Sequence, residues 1–509
     1  MSEFNTSNKN HFTYSNEKLS FHILGGITTF GLDRMRVTLK VHKSDDEFHA
    51  IRHNLDLYNS TAVEKFTRKL AEFLEIGTST IRRALQELIS KLENYRLALL
   101  DAEEETEAEE YLLTKKERRS ASDFLKSKNL LEKTNKLIGQ SGVIGEEQNR
   151  LLMYIIFTSR KMSNPLHCIS FGSSGSGKTH LQSKVSELIP EEERLSLTSL
   201  SSNSFYYFKK EELKNKLILI EDLDGAEDAL YPLRELQTKK RITKSTVQKG
   251  IGGQGRVKHL VVEGPVSVAG CTTKEKIYED NSNRSFLLYI DESESQDECI
   301  MEYQRKASAG KIRAEDELTA SELLCNAQRL LQPIKIINPY AEYLSLPKSV
   351  FKPRRTNAHY LQFIEAITFY HQFQREKSYD IDTGEEYIES SIEDIKYANE
   401  LLKHILLRKS DTINGATRNY LEKLKAYLTI KGDVIFTNRE IRKELRIAES
   451  TLRRYQLTLQ QEGYIKRRAD IQGDSFTYEI IDINEFKALE ENIEKALNFS
   501  MEQLQLSKK

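Results

Sequence analysis

Ten consecutive residues, FGSSGSGKTH at 171–180, carry the clearest chemistry in this 509-residue sequence. Gly172, four residues, then Gly177-Lys178-Thr179 is the spacing of a P-loop. Small residues let such a loop curl until its N–H groups converge on phosphates. The lysine then supplies a point charge to the β- and γ-phosphates, and the hydroxyl completes a Mg2+ shell. Gly172, Ser173, Ser174, Gly175, Ser176, Gly177, Lys178, Thr179 and His180 are therefore the candidate nucleotide ligands, with Lys178 catalytic and Thr179 a metal ligand. The cofactors this predicts are ATP and Mg2+. A bare glycine-serine turn is the bland alternative. It is disfavoured because LHCIS before the loop reads as strand and HLQSKVSELI after it reads as helix.

Roughly 40 residues on, a distance that suits a P-loop partner, the run KLILIEDLDG has four apolar residues and then carboxylates. It predicts a strand buried on both faces. Glu221 and Asp222 emerge from it, and Asp224 follows. One carboxylate is expected to hold Mg2+ and another to orient the attacking water. The order is Glu-Asp, and which residue takes which task stays open. A third apolar run, GPVSVAGCTTKE, ends in Thr272-Thr273, and Thr273 is the candidate sensor of the γ-phosphate. Arg284 precedes a fourth apolar run, FLLYI. It is either a surface arginine or a finger reaching a neighbouring subunit's nucleotide.

Between the second and third runs lies a stretch of one charge sign. Residues 236–262 contain no acid and seven basic residues: Lys239, Lys240, Arg241, Lys244, Lys249, Arg256 and Lys258. Alternating flanks around Gly250-Ile251-Gly252-Gly253-Gln254-Gly255 predict a hairpin. Lys244, Lys249, Arg256 and Lys258 are the candidate contacts to a phosphate backbone; the bland reading is a solvated basic turn. Near the C-terminus, residues 437–481 predict helix, turn, helix and hairpin, which is the pattern of a winged helix. Thr437 caps the first helix and Gly463 ends the second. Arg453 and Arg454 lie on the second helix, and Lys466, Arg467 and Arg468 on the wing, as candidate DNA contacts. Protein contact is the alternative use of such a module.

These motifs need elements to position them. The fold class expected is an α/β P-loop core of AAA+ type, a parallel sheet with helices on both faces, carrying a helical lid. A small α+β N-terminal domain precedes it and a winged helix follows. Residues 1–15 are polar and predict a loose segment; 19–57 alternate as a strand-rich unit. Residues 71–88 read as two helical halves, either a helix-turn-helix with Arg82 and Arg83 on its second helix or a plain hairpin. The divisions predicted are an N-terminal unit at 1–100, a charged helical linker at 101–139, the core at 140–310, a lid at 311–412, the winged module at 415–482 and a terminal helix or tail at 483–509.

The net charge is −1, with 30% charged residues. No apolar stretch approaches the ~20 residues of a membrane span, and residues 1–20 lack the pattern of a signal peptide. The four cysteines show no C-x-x-C spacing, so neither a zinc site nor a disulfide framework is expected. A cytoplasmic protein in a reducing compartment follows.

With these residues in view, the core resembles the AAA+ helicases of the minichromosome maintenance type. The likeness lies in Glu221-Asp222-Leu223-Asp224, the basic hairpin, the polar-tipped strand and Arg284 before an apolar strand. Lys352-Pro353-Arg354-Arg355-Thr356 resembles the start of that family's lid helix, which implies a second sensor arginine at Arg355, or failing that Arg354. A closer likeness, over about 19–481, is to the C-terminal ATPase region of zinc-finger (CHC-type) DNA primases of Bacteroidota mobile elements. LLMYIIFTSRK, LILIEDLDGAEDALYPLRELQ and VFKPRRTNAHYLQFIEA carry it. That family has a cysteine-histidine zinc finger, and these residues hold no such cluster. The resemblance implies an ATP-dependent motor on single-stranded or forked DNA, a homo-hexamer or other ring, acting with a primase or other replication proteins and with no membrane. The alternatives are an ATP-switched DNA-binding loader or regulator, a DNA-binding protein with a degenerate ATP site, and a phage-defence ATPase without unwinding. DNA against RNA, ring size and direction of travel stay open.

Overall fold

The computed structural model describes residues 3–8, 10–27, 34–105, 112–198, 203–225, 230–249, 255–274, 284–347, 350, 352–411, 413, 415–472, 475–481 and 484–506. The chain divides into two compact units, residues 1–112 with 246–258, and residues 113–245 with 259–509.

The first unit is a five-stranded antiparallel sheet in chain order, β1 (Glu3–Asn8), β2 (His11–Ser15), β3 (Leu19–Leu24), β4 (Arg36–Lys43) and β5 (Asp46–Asp56). One side of the pleat is apolar. Phe12, Tyr14, Phe21, Ile23, Val37, Leu39 and Val41 bury against Phe66, Leu70, Ile81, Leu85 and Leu88 of two helices, Ser60–Leu74 and Thr78–Glu105. One expectation changes here. Of the segment 1–15 expected to be loose, residues 3–8 and 11–15 form the paired strands β1 and β2, because Phe12 and Tyr14 reach the same core. The pair of helices is a hairpin covering the sheet. Its second helix runs 28 residues, and Arg82 is held by both carboxylate oxygens of Glu64 at 3.0 Å.

After the linker the chain forms β6 (His167–Phe171), β7 (Arg194–Leu197), β8 (Lys216–Ile220), β9 (Arg241–Lys249), β10 (Gly255–Glu263), β11 (Val266–Thr272) and β12 (Phe286–Tyr289), all in the second unit except residues 246–258 of β9 and β10. Five of these make a parallel sheet in the order β12-β6-β11-β8-β7; β9 and β10 pair separately as a ribbon. Side chains alternate between two apolar layers. Cys168, Leu217, Leu219, Ala269 and Leu288 enter one, and Ile169, Ile218, Ile220, Val266 and Val268 enter the other. Both faces are covered, so the strands are apolar throughout.

The linker expected at 101–139 ends much earlier. Helices Lys115–Leu125 and Leu130–Gln140 bury Ala121, Leu125, Leu130, Leu131 and Ile138 in the main core, so the core begins near residue 113. Residues 106–111, the acidic part of that linker, lie outside the described residues. The region 311–412 is not wholly helical. Helices Ala314–Leu330, Pro353–Tyr370 and Ile392–Lys409 are interleaved with a small sheet of β13 (Lys335–Ile337), β14 (Ser378–Tyr379) and β15 (Glu386–Glu389). Asp394 is buried there between His371 at 2.7 Å and Arg375 at 2.7 Å.

The C-terminal region runs helix Gly415–Lys431, β16 (Ile435–Thr437), helices Asn438–Glu444 and Glu449–Gln461, β17 (Ile465–Gln472), β18 (Ser475–Ile480) and helix Glu485–Leu506. Its strands are antiparallel in the order β16-β18-β17. Thr437 caps the Asn438–Glu444 helix by accepting from the Glu440 N–H at 3.2 Å. Helix Glu485–Leu506 is not a tail: Ile493, Leu497 and Leu504 join the main core, and Lys403 pairs with Glu490 and Glu494. Arg418 joins this helix to the helix that carries it. The guanidinium is 1% exposed, bonds Asp411 at 2.6 Å and Glu485, and lies over the rings of Phe486 at 4.5 Å and Tyr464 at 5.0 Å. Among the described residues, no helix is long and apolar enough to cross a membrane.

Replacing Arg418 by alanine strands the buried Asp411 carboxylate, a loss of about 3 kcal/mol or more. We predict that Arg418→Ala lowers the temperature at which protease first cuts after residue 410, with helix Glu485–Leu506 released early. Unchanged protection of that region would contradict the assignment.

Candidate nucleotide site

Because β6, β8 and β11 run the same way, their C-terminal ends meet at one edge, the place where parallel α/β sheets hold ligands. β6 leads into the loop Gly172–Gly177 and then into helix Lys178–Ser186. Gly175 at φ 83° and Gly177 at φ 91° take the left-handed conformation that folds the loop back. Lys178 is 7% exposed, and its ammonium donates to the Ser173 carbonyl inside the loop. The Ser176 hydroxyl is buried with no hydrogen-bond partner. The Ser173 N–H donates to Glu292 Oε1 at 2.6 Å. Sequence reasoning did not single out Glu292. Its signal was the one used for Glu221-Asp222: acids directly after an apolar strand.

At the end of β8, Glu221 and Asp222 are both exposed. Asp222 Oδ1 accepts from the Asp224 N–H at 2.8 Å. Asp224 turns back to β11, accepting from the Thr272 hydroxyl at 2.6 Å and the Thr273 hydroxyl at 3.0 Å. This bridge needs Leu223 to lie flat on β11, where a Cβ on Gly270 would stand 2.7 Å from its side chain. Gln182 of the P-loop helix ties the same ends together. It donates to the Ile220 carbonyl at 3.3 Å and accepts from Cys271 Sγ at 3.4 Å. Cys271 lies beneath the site. Burial pushes its thiol up to about 12, while the Thr179 hydroxyl and the Lys178 ammonium act the other way and Asp222 and Glu221 add to the rise. The Thr179 hydroxyl and the Glu221 and Asp222 carboxylates all act on this one thiol. They make an all-oxygen donor set that fits a hard cation such as Mg2+.

The two predicted arginines are not in this place. Phe286, which opens β12, pairs with Cys168 near the start of β6, whereas the loop leaves β6 after Phe171. Arg284 therefore sits at the strand-start edge, roughly 15 Å from the loop by strand rise. Its Nε donates to Thr238 Oγ1 at 3.0 Å. Arg355 belongs to the same edge. His359, one turn on, lies 5.3 Å from the Phe286 ring. Burial pushes His359 down to about 3, helped by the charges of Lys409, His167 and Arg355. Burial also pushes His167 down to about 3, with Arg284 adding to it. Lys409 is lowered to about 8 by burial and by Arg355 and Lys352. Arg354 is exposed. Arg284, Arg355 and Lys409 thus gather around His167 and His359, away from the chain's own P-loop.

Among the candidate DNA contacts, Lys244 donates to Asn203 Oδ1 at 2.6 Å and lies over the Tyr206 ring at 5.3 Å. Lys249 is in β9, and Arg256 and Lys258 in β10, but their side chains lie outside the described residues. Arg453 pairs with Glu449 at 2.8 Å, and Arg468 with Glu479 at 3.7 Å. Arg467 stacks on Phe476 at 3.4 Å, Arg454 lies over Tyr455 at 5.4 Å, and Lys466 is exposed.

Comparison with known proteins agrees with the core. Residues 114–332 match the family described as the MTBMA_p00010 P-loop domain. The uncharacterized protein MTBMA_p00010 of Methanothermobacter marburgensis is 24% identical over 323 residues, 59% of this chain. The match spans 38% of that relative's length. Among solved structures, a full-length MCM homolog from Methanopyrus kandleri has a TM-score of 0.38 and 13% identity, covering 58% of this chain and 62% of that one. Drosophila ORC bound to DNA has a TM-score of 0.22 and 12% identity, over 71% and 92%. The apo C-terminal region of NrS-1 has 0.23 and 13%, over 69% and 76%. The centre of this chain is an α/β P-loop domain with the parts of a nucleotide-hydrolysing enzyme.

Proposed function

We propose that this chain is an ATP-dependent AAA+ motor on DNA, a ring-forming helicase or translocase in the replication of a mobile element, working beside a primase. The observation that carries the reading is the split of the nucleotide machinery between two edges of one sheet. Loop, acids and Thr273 occupy one edge; Arg284, Arg355 and Lys409 crowd the other. Cations that cannot reach their own chain's phosphates suit a neighbour's site, which calls for a ring such as a hexamer.

In this reading Lys178 leaves the Ser173 carbonyl for the β- and γ-phosphates. Thr179 and one of Glu221 and Asp222 hold the metal, and the other carboxylate orients the attacking water. Mg2+, when bound, neutralises phosphate charge. Thr273 donates to the γ-phosphate, and Asp224 keeps its hydroxyl at the strand tip. Arg284, with Arg355, supplies charge from the next subunit. In the chain the basic β9–β10 ribbon comes between the acidic strand and the sensor strand, which supports a lever on a phosphate backbone. The C-terminal module, read as a winged helix with Lys466 and Arg467 on its wing, holds DNA.

Asp224→Ala leaves the buried Thr272 hydroxyl without its acceptor and frees Thr273. We expect kcat to fall about 10- to 100-fold, from a loss of roughly 1.4–3 kcal/mol, with ATP affinity within about threefold of wild type. An unchanged kcat would remove Asp224 and Thr273 from the mechanism. The two-edge reading is tested by mixing. Lys178→Ala and Arg284→Ala are each expected to be inactive. Mixed together they regain hydrolysis, because interfaces with an intact loop from one subunit and an intact Arg284 from the other then form. No recovery in mixtures shown to co-assemble would place Arg284 outside the site.

A further inference from the structure

A cavity of about 1140 Å3 lies beside the start of the P-loop and is lined there by Gly172, Ser173, Ser174 and Thr273. On one wall are Ser173, Ser174 and Thr273. The Lys178 ammonium rests on the Ser173 carbonyl, and a P-loop lysine serves the terminal phosphates, so this wall borders the γ-phosphate end of the site. Further lining comes from Arg408 at the end of helix Ile392–Lys409 and from the C-terminal region, which contributes Lys423 and Arg454 with Tyr420 and Tyr455. The helix Glu449–Gln461 therefore turns part of its surface toward the cavity, through Thr451, Arg454 and Tyr455.

Two features of this wall point to an anionic ligand. Arg408 donates one nitrogen to Asn419 Oδ1 at 2.9 Å and lies over the Tyr289 ring at 5.4 Å, yet its Nη1 is buried with no hydrogen-bond partner. Arg454 has no ion pair among the described residues. It lies over Tyr455, which stacks on Tyr420 at 5.2 Å, and the Tyr420 hydroxyl accepts from Gln456 at 2.6 Å. That stack holds the guanidinium on a rigid base while its N–H groups stay unspent. The first wall also carries acids, Glu146, Glu147, Asp291 and Glu292. Glu146 already accepts from the Asp291 N–H at 2.7 Å and Glu292 from the Ser173 N–H. Beside Arg408 and Lys423 the lining also holds Glu422, which is already paired with Arg418 and Lys425.

We propose that Arg454 is a ligand for the terminal phosphate of the nucleotide held by its own chain, and not a DNA contact. The proposal rests on the P-loop reading above. Its consequence is coupling: the C-terminal module closes on ATP in cis and is released when the terminal phosphate leaves.

The test is titration of the full chain with fluorescent ATP and ADP analogues in Mg2+. Arg454→Ala is expected to weaken ATP by about tenfold or more, the worth of a hydrogen bond to a charged group, and ADP by less than about threefold. Arg454→Lys recovers part of the ATP affinity. Arg442→Ala, whose partner Glu449 lies 2.8 Å away on the next helix, behaves as wild type. Wild-type ATP affinity in Arg454→Ala, with Lys178→Ala unable to bind, overturns the proposal and leaves the P-loop reading standing. Equal losses for ATP and ADP also overturn it, since a terminal-phosphate contact must discriminate. If Lys178→Ala binds as wild type, both readings fall.

Discussion

The parallel run of β6, β11 and β8 is the constraint from which the site follows. Three separate stretches of sequence end at one edge because the strands pair in register: Val268 beside His167, and Val266 beside Lys216. Each strand is apolar on both faces, and the two layers that bury them hold that register. A one-residue slip would exchange the layers, so burial fixes where Gly172, Glu221 and Thr273 emerge. Asp224 and Gln182 then join these ends by hydrogen bonds that neither strand could make alone.

The same register gives the domain its polarity. The edge opposite the loop collects Arg284, Arg355 and Lys409 with two deeply buried histidines that stay neutral. Such a gathering of like charge is costly in an isolated chain, and it becomes useful when an anion is brought to it. The phosphate-binding groups and this cluster of cations therefore stand at opposite edges of one sheet. A cavity beside the start of the loop is also lined by Arg408 and by Arg454 of the C-terminal region. Within the second unit, parts of the C-terminal region thus share a cavity with the start of the P-loop. The burial of helix Glu485–Leu506 against helix Ile392–Lys409 points the same way.

Much of this was legible in the sequence where chemistry is local. The P-loop spacing, the buried strand ending in Glu221-Asp222 and the Thr437 cap are all set by a few neighbouring residues. What escaped depended on long-range packing. Helix Lys115–Leu125 offers Ala121, Leu125 and a half-buried Phe124 to the core amid charged residues, so it read as linker. The strands at 3–15 hide Phe12 and Tyr14 among polar residues. Ile493, Leu497 and Leu504 show helical spacing, but nothing local names the surface they cover. Asp224 needed Gly270 to admit Leu223, a contact across 47 positions. Glu292 was passed over because its strand carries no loop of its own.

The central claim is that hydrolysis at this edge moves the β9–β10 ribbon against DNA. The most direct measurement is ATP turnover with and without single-stranded DNA, for wild type, Lys178→Ala, and a variant with Lys249, Arg256 and Lys258 all changed to alanine. The account predicts DNA-stimulated turnover in wild type, none in Lys178→Ala, and basal turnover without stimulation in the triple variant. Turnover that is robust in wild type and indifferent to DNA would contradict it and direct the search to a protein partner.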